Sequence, residues 1–330
     1  MINQLRALLE QNTNILITTH KSPDGDAIGS SVAWYEFLKA IGKKPFLLIP
    51  DEPTASLLPF LANVDYRIFD QEKEQALTAL NQYEVLFCLD YNGTGRVGKN
   101  MEVIFDLFEG PKVMIDHHPN PDHFCELMIS RPEVCSTAQL VYACIDELGL
   151  LEHLNVACGI GIYLGILTDT GSFRFPSVDK QTHLTLAHLI EIGVEHYKIH
   201  EAIYDVNTMD RLRLRGYAIA EKLEIIPGLP IGFISLTKEE LERFNYQKGD
   251  TEGLVNTILS IEGISIAAFF KEDKDNIKIS FRSKGDYFVN EFLNRHFEGG
   301  GHKYAAGGVS YESLDVTLSR FKSLVEELIP

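Results

Sequence analysis

Paired cysteines and long apolar segments are both missing from this 330-residue chain. Its five cysteines are odd in number and none belongs to a Cys-x-x-Cys pair, so reduced, mostly buried thiols are expected, as in cytoplasmic proteins. The N-terminal segment, residues 2–14, carries Arg6 and Glu10 among its leucines and has no secretory signal pattern. The longest apolar run, near residue 160, is interrupted by glycines, which predicts a buried helix rather than a membrane span.

The chain has far fewer basic than acidic residues. The chain has 30 lysines and arginines against 47 aspartates and glutamates, and its formal net charge is −17. Long duplex DNA or RNA is therefore not an expected partner, because such binding depends on clustered lysine and arginine. A small anionic substrate held at one site is compatible with this charge balance, and two bound divalent cations would cancel four of the negative charges.

One segment combines an imidazole and two carboxylates within seven residues. His20, Asp24 and Asp26 directly follow the apolar run 15–19. The run is typical of a buried strand and the apolar spacing after Ala27 is helical, so these side chains are predicted on a strand-to-helix turn. In a parallel α/β sheet, ligands bind at this carboxyl edge. The alternative is ordinary turn chemistry, with Asp26 as the N-cap of the helix.

The same pattern recurs at the ends of other apolar elements, which ordinary caps do not explain. Three further elements end in acidic or imidazole residues: Asp90 follows residues 85–89, Asp116, His117 and His118 follow residues 113–115, and Asp169 follows residues 156–167. A carboxylate at the end of a buried run is costly unless it is paired or binds a metal. The sequence therefore predicts that these side chains converge at one edge of one sheet.

The chemistry of these side chains indicates which metal they would bind. Asp and His donors, with no cysteine nearby at ligand spacing, suit Mn²⁺ or Mg²⁺ better than structural Zn²⁺. Several carboxylates in one pocket would repel each other and raise their pKa values, and two divalent cations remove that cost. Two such cations about 3.5–4 Å apart are the arrangement used for in-line phosphoester hydrolysis.

The order and spacing of these motifs resemble those of the DHH phosphoesterase family, named for the Asp-His-His triplet found here at residues 116–118. The C-terminal part adds Gly299-Gly300-Gly301-His302, followed by residues 305–308, which is similar to the glycine-rich motif of the DHH-associated C-terminal domain. The resemblance covers nearly the whole chain. In size and layout it is closest to the bacterial nanoRNase and pAp phosphatase group, pAp being adenosine 3',5'-bisphosphate.

The resemblance implies two Mn²⁺ ions, with Mg²⁺ or another divalent cation as the alternative. The implied ligands are His20, Asp24 and Asp90 for one ion and Asp26, Asp90, His117 and Asp169 for the other, so that Asp90 is shared. Two catalytic residues are implied beside them. Asp116 would orient a histidine through its ring N–H, and His118 would stabilise the substrate phosphate or donate a proton to the leaving oxygen.

Five residues of the C-terminal part are predicted to bind substrate: Arg282, Ser283, Gly300, Gly301 and His302. An arginine at the end of a strand can pair with a phosphate, and consecutive glycines let backbone N–H groups approach a phosphate or a base. A surface arginine and a flexible loop explain the same residues without a ligand. The resemblance favours substrate contact for the glycine-rich motif.

Other polar residues near the motifs are given structural interpretations. Ser136 and Thr137 precede a helical pattern and are expected to form its N-cap. A phosphate contact from that helix N-terminus is the alternative. Lys21, Arg96 and Arg174 flank the metal motifs and are expected to be solvated surface charges. Side chains that face the cleft are the alternative.

Alternating strand and helix patterns predict an α/β fold, with an N-terminal, mostly parallel, doubly wound sheet and a smaller C-terminal α/β domain. The predicted strands are 15–19, 45–49, 66–69, 85–89 and 112–116, then 223–227, 231–236, 264–271 and 276–282. The predicted division is a DHH phosphoesterase domain at 1–195, a helical connector at 196–222 and a DHH-associated substrate-binding domain at 223–330. The active site is expected in the interdomain cleft.

Together these features predict a cytoplasmic, Mn²⁺-dependent phosphohydrolase of small nucleotides, acting on short oligoribonucleotides, on pAp, or on both by two-metal in-line attack. A phosphodiesterase of cyclic or linear dinucleotides is the first alternative. A non-catalytic nucleotide-binding regulator is the second, although such a protein should have lost a metal ligand and here all are present. No membrane partner is expected. Proteins of the resembled type are often homodimers, but the sequence itself gives no sign of self-association.

Overall fold

The structure is a computed structural model that describes residues 1–329, and for His302 the backbone alone. The chain divides into two units, residues 1–206 and 207–330. The boundary falls within the segment predicted as a connector, 196–222, between a helix that ends at Tyr204 and one that begins at Met209.

The first unit, all of whose residues are described, is built on one parallel sheet. Its strands are β1 (Asn14–Thr18), β2 (Lys44–Ile49), β3 (Tyr66–Ile68), β4 (Val85–Leu89), β5 (Lys112–Asp116) and β6 (Leu127–Ser130). They pair in the order β3-β2-β1-β4-β5-β6, with every pair parallel. This is the strand order of a doubly wound nucleotide-binding sheet, so the predicted parallel α/β fold is confirmed. The edge strand β6 is not among the predicted strands.

Helices cover both faces of this sheet. They are α1 (Ile2–Gln11), α2 (Gly25–Ala40), α3 (Lys73–Ala79), α4 (Val103–Leu107), α5 (Thr137–Glu147), α6 (Val156–Asp169), α7 (Lys180–Glu191) and α8 (His196–Tyr204). Because side chains alternate along a strand, Ile15 and Phe87 pack with α1, α2, α5 and α6, whereas Leu16 and Leu86 pack with α3 and α4. Burial on both faces explains why the strands are continuously apolar.

Close packing of α2 on α6 helps to build the site. A Cβ on Gly29 of α2 would lie 2.5 Å from the carbonyl oxygen of Gly161 in α6, and a Cβ on Gly165 would collide with the Asp26 carboxylate. Only glycine leaves this space. The contact therefore brings Asp26 close to the C-terminal end of α6, where Asp169 lies.

The longest apolar segment of the sequence is α6, and most of its residues are buried. The prediction of a buried helix near residue 160 is therefore confirmed. Over residues 1–329, no helix combines the length and the apolar character that crossing a membrane requires.

The second unit, described as far as residue 329, contains a mixed sheet. Its strands are β7 (Leu223–Ile225), β8 (Ile231–Leu236), β9 (Ile266–Glu272), β10 (Ile277–Ser283), β11 (Glu298–His302) and β12 (Ala305–Ser310). They pair in the order β11-β12-β10-β9-β8-β7, and only β8 and β9 are parallel to each other among these described strands. The prediction of a second, smaller α/β domain is confirmed.

The helices of the second unit cover its sheet on both faces. They are α9 (Met209–Glu221), α10 (Lys238–Arg243), α11 (Leu254–Leu259), α12 (Asn290–His296) and α13 (Leu314–Leu324). One face packs on α12 through Phe281 and Phe292, and on α13 through Phe270, Phe281 and Phe321. The other face packs on α9, α10 and α11.

The glycine-rich segment, interpreted from the sequence as a flexible loop or a phosphate cradle, forms strand β11 of an edge hairpin. Gly299 pairs with Gly308, and Gly300 pairs with Gly307. A Cβ on Gly299 would collide with the carbonyl oxygen of Gly307, so the two backbones approach because side chains are absent. Glycine is depleted in strands, and for that reason no strand is predicted here.

Candidate metal centre

The carboxyl ends of neighbouring strands bring the first predicted site residues together. Strands β1 and β4 are adjacent, with Thr18 opposite Cys88, and His20 and Asp90 follow just beyond these strand ends. Asp116 is the last residue of β5, the next strand in the sheet. The order in which the strands are added to the sheet reverses between β1 and β4. Ligands of open α/β sheets bind at such a topological switch point.

The first predicted ligand set forms a cluster. His20 Nε2 lies 3.8 Å from Asp24 Oδ1 and 3.5 Å from Asp90 Oδ2, and the three residues offer donor atoms within 4.8 Å of one another. His20 Nδ1–H donates to the Lys21 carbonyl oxygen at 2.9 Å, which leaves Nε2 for a cation. Asp90 has a left-handed backbone, with φ of 64°, an uncommon conformation that is found at functional sites.

The second predicted ligand set surrounds His117. Its Nε2 lies 3.4 Å from Asp169 Oδ2, 3.9 Å from Asp26 Oδ2 and 3.9 Å from Asp90 Oδ1. His117 Nδ1–H donates to the Val134 carbonyl oxygen at 3.2 Å, so Nε2 faces the carboxylates. Asp90 therefore directs Oδ2 to the first cluster and Oδ1 to the second, which is the geometry of a shared ligand.

The N-cap of α2 is Asp24, and the expectation that Asp26 caps this helix is wrong. Asp24 has an extended backbone, and its Oδ1 accepts hydrogen bonds from the backbone N–H groups of Asp26 at 3.0 Å and Ala27 at 3.1 Å. Asp26 lies inside the first turn, because α2 begins at Gly25. Its side chain is therefore available to groups outside its own helix.

Asp26 is held by the N-terminus of α5. Its Oδ2 accepts the backbone N–H of Thr137 at 2.6 Å, and its Oδ1 accepts that of Ala138 at 2.9 Å. The positive end of the helix dipole favours a carboxylate at this position. Ser136 Oγ accepts the backbone N–H of Gln139 at 3.0 Å, so the predicted N-cap of this helix is confirmed.

Asp169 reaches the site from the C-terminal end of α6 rather than from the end of a strand. A carboxylate there meets the negative end of the helix dipole, which is unfavourable. The next residues turn sharply, since Gly171, Ser172 and Phe173 all have positive φ, at 56°, 63° and 64°. Without a cation, Asp169 is therefore held in an electrostatically unfavourable place.

Burial, together with neighbouring carboxylates, raises the pKa of two of these carboxyl groups. Burial and the charges of Asp90, Asp169 and Asp24 raise the pKa of Asp26 well above its ordinary value. Burial likewise raises the pKa of Asp169 to about 7. Burial acts in the same direction on Asp90, but the hydrogen bond and charge of His20 lower its pKa below the usual range. Divalent cations would relieve this repulsion, and a donor set of carboxylate oxygens and imidazole nitrogens fits Mn²⁺ or Mg²⁺.

Asp116 and His118 form a pair beside the two clusters. Buried Asp116 accepts the His118 Nδ1–H through Oδ1 at 2.7 Å and the His118 backbone N–H through Oδ2 at 3.0 Å, which fixes the ring and its tautomer. Burial lowers the pKa of His118, but the hydrogen bond that it donates to Asp116 and the charge of Asp90 outweigh burial and raise the pKa. The ring is therefore suited to carrying a proton.

Thr137 also contacts the site residues. Its interpretation from the sequence as part of a helix cap did not predict this. Its Oγ1 donates to Asp90 Oδ1 at 2.8 Å, while its backbone N–H donates to Asp26 Oδ2. One buried residue thus orients a carboxylate of each cluster. A Ser-Thr pair before a helix is so common a cap pattern that the sequence carries no signal for this second role.

Replacing Thr137 with valine should weaken Mn²⁺ binding and turnover by about ten- to a hundredfold, because outer hydrogen-bond partners orient metal ligands. Thr137→Ser keeps the hydroxyl and is the matched control, with both quantities expected close to wild type. Mn²⁺ affinity is measured by calorimetric titration of chelator-stripped protein. A valine variant that binds Mn²⁺ as tightly as wild type would contradict this positioning role.

The predicted substrate contacts lie in the second unit. Arg282 in β10 donates from Nη1 to the Phe281 carbonyl oxygen at 2.9 Å. Ser283 is buried, and its Oγ donates to the Tyr287 carbonyl oxygen at 2.7 Å. Arg282 also lines a groove of about 170 Å³.

The remaining predicted contacts, Gly300, Gly301 and His302, lie in strand β11. Gly301 has φ of 138°, which favours glycine. The side chain of His302 is outside the described part of the structure.

Two family models match the chain, one over the part that forms the first sheet and the other over most of the part that forms the second. The model of the DHH family N-terminal domain matches residues 14–184, and the DHHA1 domain model matches residues 233–329. The predicted site residues fall within these two ranges: the metal and catalytic residues in the first, and the substrate contacts in the second.

Individual relatives cover almost the entire chain. The bifunctional oligoribonuclease and PAP phosphatase NrnA of Bacillus subtilis is 31% identical over 325 residues, with 95% of each chain covered. The protein of the same name from Thermus thermophilus is 30% identical over 293 residues, covering 89% of this chain and 83% of that one. The crystal structure of an exopolyphosphatase-related protein from Bacteroides fragilis matches with a TM-score of 0.95 and 35% identity over 99% of this chain and 95% of that chain. The chain therefore belongs to the DHH family of phosphoesterases.

Proposed function

We propose that this protein is a divalent-cation-dependent phosphohydrolase that acts on short oligoribonucleotides and on pAp. The observation that carries the proposal is the pair of clusters joined by Asp90, with one oxygen directed to His20 and the other to His117. Two adjacent cation sites built from carboxylates and imidazoles are suited to phosphoester hydrolysis. The names of the Bacillus and Thermus relatives support the same two substrates.

We further propose the ions and their ligands. Mn²⁺ is the preferred ion, with His20, Asp24 and Asp90 holding one and Asp26, Asp90, His117 and Asp169 holding the other. When bound, such ions neutralise charge on the substrate phosphate and make water a better nucleophile at neutral pH.

The protein's own groups would do the rest of the chemistry. Asp90, fixed by Thr137, sets the distance between the two sites. The Nδ1–H···Oδ1 bond to Asp116 fixes His118, so that its ring can stabilise the phosphate or protonate the leaving oxygen. Burial lowers the pKa of His118, but the hydrogen bond to Asp116 and the charge of Asp90 outweigh it and raise the pKa, which favours the ring as the proton donor.

Substrate selection would use the second unit. In a chain with a net charge of −17, Lys271, Lys278 and Arg282 line one groove together with Ser280. Cations gathered in this way favour phosphates. We therefore propose Arg282, which lines this groove, as a nucleotide contact. On the family resemblance we also propose Ser283, whose hydroxyl donates to a backbone carbonyl, and the Gly300-Gly301-His302 segment.

Arg282→Ala should raise the KM for pAp and for a trinucleotide about tenfold, because a charge-assisted contact to phosphate is lost. The kcat should change little, since Arg282 lies outside the unit that carries the metal centre. Lys274→Ala, an exposed substitution in the same unit, is the matched control. Steady-state kinetics that show equal KM changes for the two variants would exclude a direct contact by Arg282.

The proposed function is tested by chromatographic product analysis with purified protein in Mn²⁺ or Mg²⁺. The substrates are pAp, a 5'-phosphorylated RNA trinucleotide, cyclic di-AMP and pyrophosphate, and His117→Ala is the inactive control. AMP and phosphate from pAp, with mononucleotides from the RNA, are the expected products. Cleavage of cyclic di-AMP alone would replace the proposal with a dinucleotide phosphodiesterase. No turnover of any substrate would indicate a nucleotide-binding regulator.

A further inference from the structure

Arg96 lies beside the metal centre, although the sequence favours a solvated surface charge over a side chain that faces the site. It belongs to a short 3₁₀ turn, Thr94–Val97, that follows Asp90. One of its guanidinium nitrogens, Nη2, lies 3.5 Å from His118 Nε2. The opposite ring nitrogen of His118 is bonded to Asp116. The three side chains thus form a line from the buried carboxylate of Asp116 to the exposed guanidinium.

The backbone of Arg96 is fixed to the segment that carries the first predicted ligand. Its carbonyl oxygen accepts the Lys21 N–H at 2.8 Å, and its own N–H donates to the Gly93 carbonyl oxygen at 3.1 Å. The neighbouring Val97 is buried. The backbone from which the guanidinium extends toward His118 is therefore part of an anchored turn.

An arginine without an acidic partner is notable in so acidic a unit. Residues 1–206 contain 14 lysines and arginines against 28 aspartates and glutamates. Within the described residues, the Arg96 side chain contacts His118, and Arg96 forms no ion pair with an acidic residue. A guanidinium presents a planar fork of N–H donors that matches phosphate oxygens. The Arg96 guanidinium lies next to the His118 ring, which is expected to face the substrate. Its N–H donors are therefore placed to bind an anion.

We infer that Arg96 is a substrate-binding residue of the metal centre, and that its guanidinium grips a phosphate oxygen of the nucleotide that His118 also contacts. The inference rests on the proposed function for the nature of the substrate. The class of ligand is a phosphate mono- or diester, and arginine is preferred over lysine because two parallel N–H···O bonds fix the orientation of the group.

The test measures binding of AMP and of inorganic phosphate to the Mn²⁺-loaded protein by calorimetry, so that it does not depend on turnover. Arg96→Ala should weaken both at least about tenfold, as expected for loss of a charge-assisted contact. Arg96→Lys keeps the positive charge but not the planar pair of N–H donors. Its affinities for AMP and phosphate should lie between those of the wild type and those of Arg96→Ala. Lys99→Ala removes an exposed charge three residues away and should change both affinities less than about twofold. Mn²⁺ affinity should be unchanged in all three variants.

Wild-type affinity for AMP in Arg96→Ala would overturn the inference, and so would an equal loss of affinity in Lys99→Ala. Loss of Mn²⁺ binding in Arg96→Ala would also overturn it, because the residue would then be structural. Absence of AMP and phosphate binding to the wild type would also overturn it. Failure of the proposed function is distinguishable. In that case wild type would bind AMP in an Arg96-dependent way but hydrolyse none of the candidate substrates.

Discussion

Asp90→Asn should lower kcat for pAp hydrolysis by on the order of a thousandfold or more, because this side chain alone contacts both clusters. Asparagine has nearly the same shape but offers one carbonyl oxygen and no negative charge. The amide nitrogen would have to face either His20 or His117, and a donor in that place cannot bind a cation. Single-turnover kinetics at saturating Mn²⁺ measure the effect.

Weaker Mn²⁺ binding should accompany the loss of turnover. Titration of the Asp90→Asn variant should show fewer tight Mn²⁺ sites than the wild type, whereas circular dichroism should show the same secondary structure. Asp106→Asn, on the exposed side of α4, is the matched control and should keep wild-type turnover. Turnover within tenfold of wild type in Asp90→Asn would mean that the two clusters do not act as one centre.

The positions of the six predicted ligands could be derived from sequence because each follows an apolar element. Strands buried on both faces are continuously apolar, so the ends of β1, β4 and β5 are visible as the points where Asp and His appear. The same rule placed Asp169, although its element is a helix. Periodicity cannot separate a short buried strand from a buried helix segment, but either one carries its last residue to the sheet edge.

Contacts between distant segments could not be derived in this way. Thr137 and Asp26 are 111 positions apart, and Arg96 and His118 are 22 apart. Each of these pairs is set by the packing of one turn or helix against another, which no local pattern records. The hairpin β11–β12 was missed for a different reason, because its pairing depends on the absence of side chains at Gly299 and Gly301 rather than on strand propensity.

Removal of divalent metal should destabilise the first unit strongly at alkaline pH and weakly at acidic pH. At a Mn²⁺ concentration about a thousandfold above Kd, binding stabilises the folded state by about 4 kcal/mol. For a unit of this size each kcal/mol shifts Tm by about 2–4 °C, so Mn²⁺ should raise Tm by roughly 10 °C at pH 8.5. Differential scanning calorimetry of chelator-stripped and Mn²⁺-loaded protein measures this difference.

The pH dependence follows from the raised pKa values of the metal-free protein. Burial raises the pKa of Asp169 to about 7, so between its unfolded value near 4 and pH 7 the folded state holds more protons, and stability falls as pH rises. Burial opposes protonation of His20, but its hydrogen bond with Asp90 and the charges of Asp24 and Asp90 raise its pKa to about 9. The stability that this supplies is complete below pH 6.5 and is lost as pH rises through 9.

The titrations of Asp169 and His20 therefore lower the free energy of unfolding of the metal-free protein as the pH rises. At alkaline pH the ligands have also lost the protons that compete with a cation. The Tm increment from Mn²⁺ should shrink to a few degrees at pH 5.5. Asp169→Asn removes one of these titrations and should make the pH dependence of the metal-free Tm less steep, whereas Asp106→Asn should leave it unchanged. An increment that is equal at pH 5.5 and pH 8.5 would contradict the assignment, since it would mean that protons and metal do not compete for these side chains.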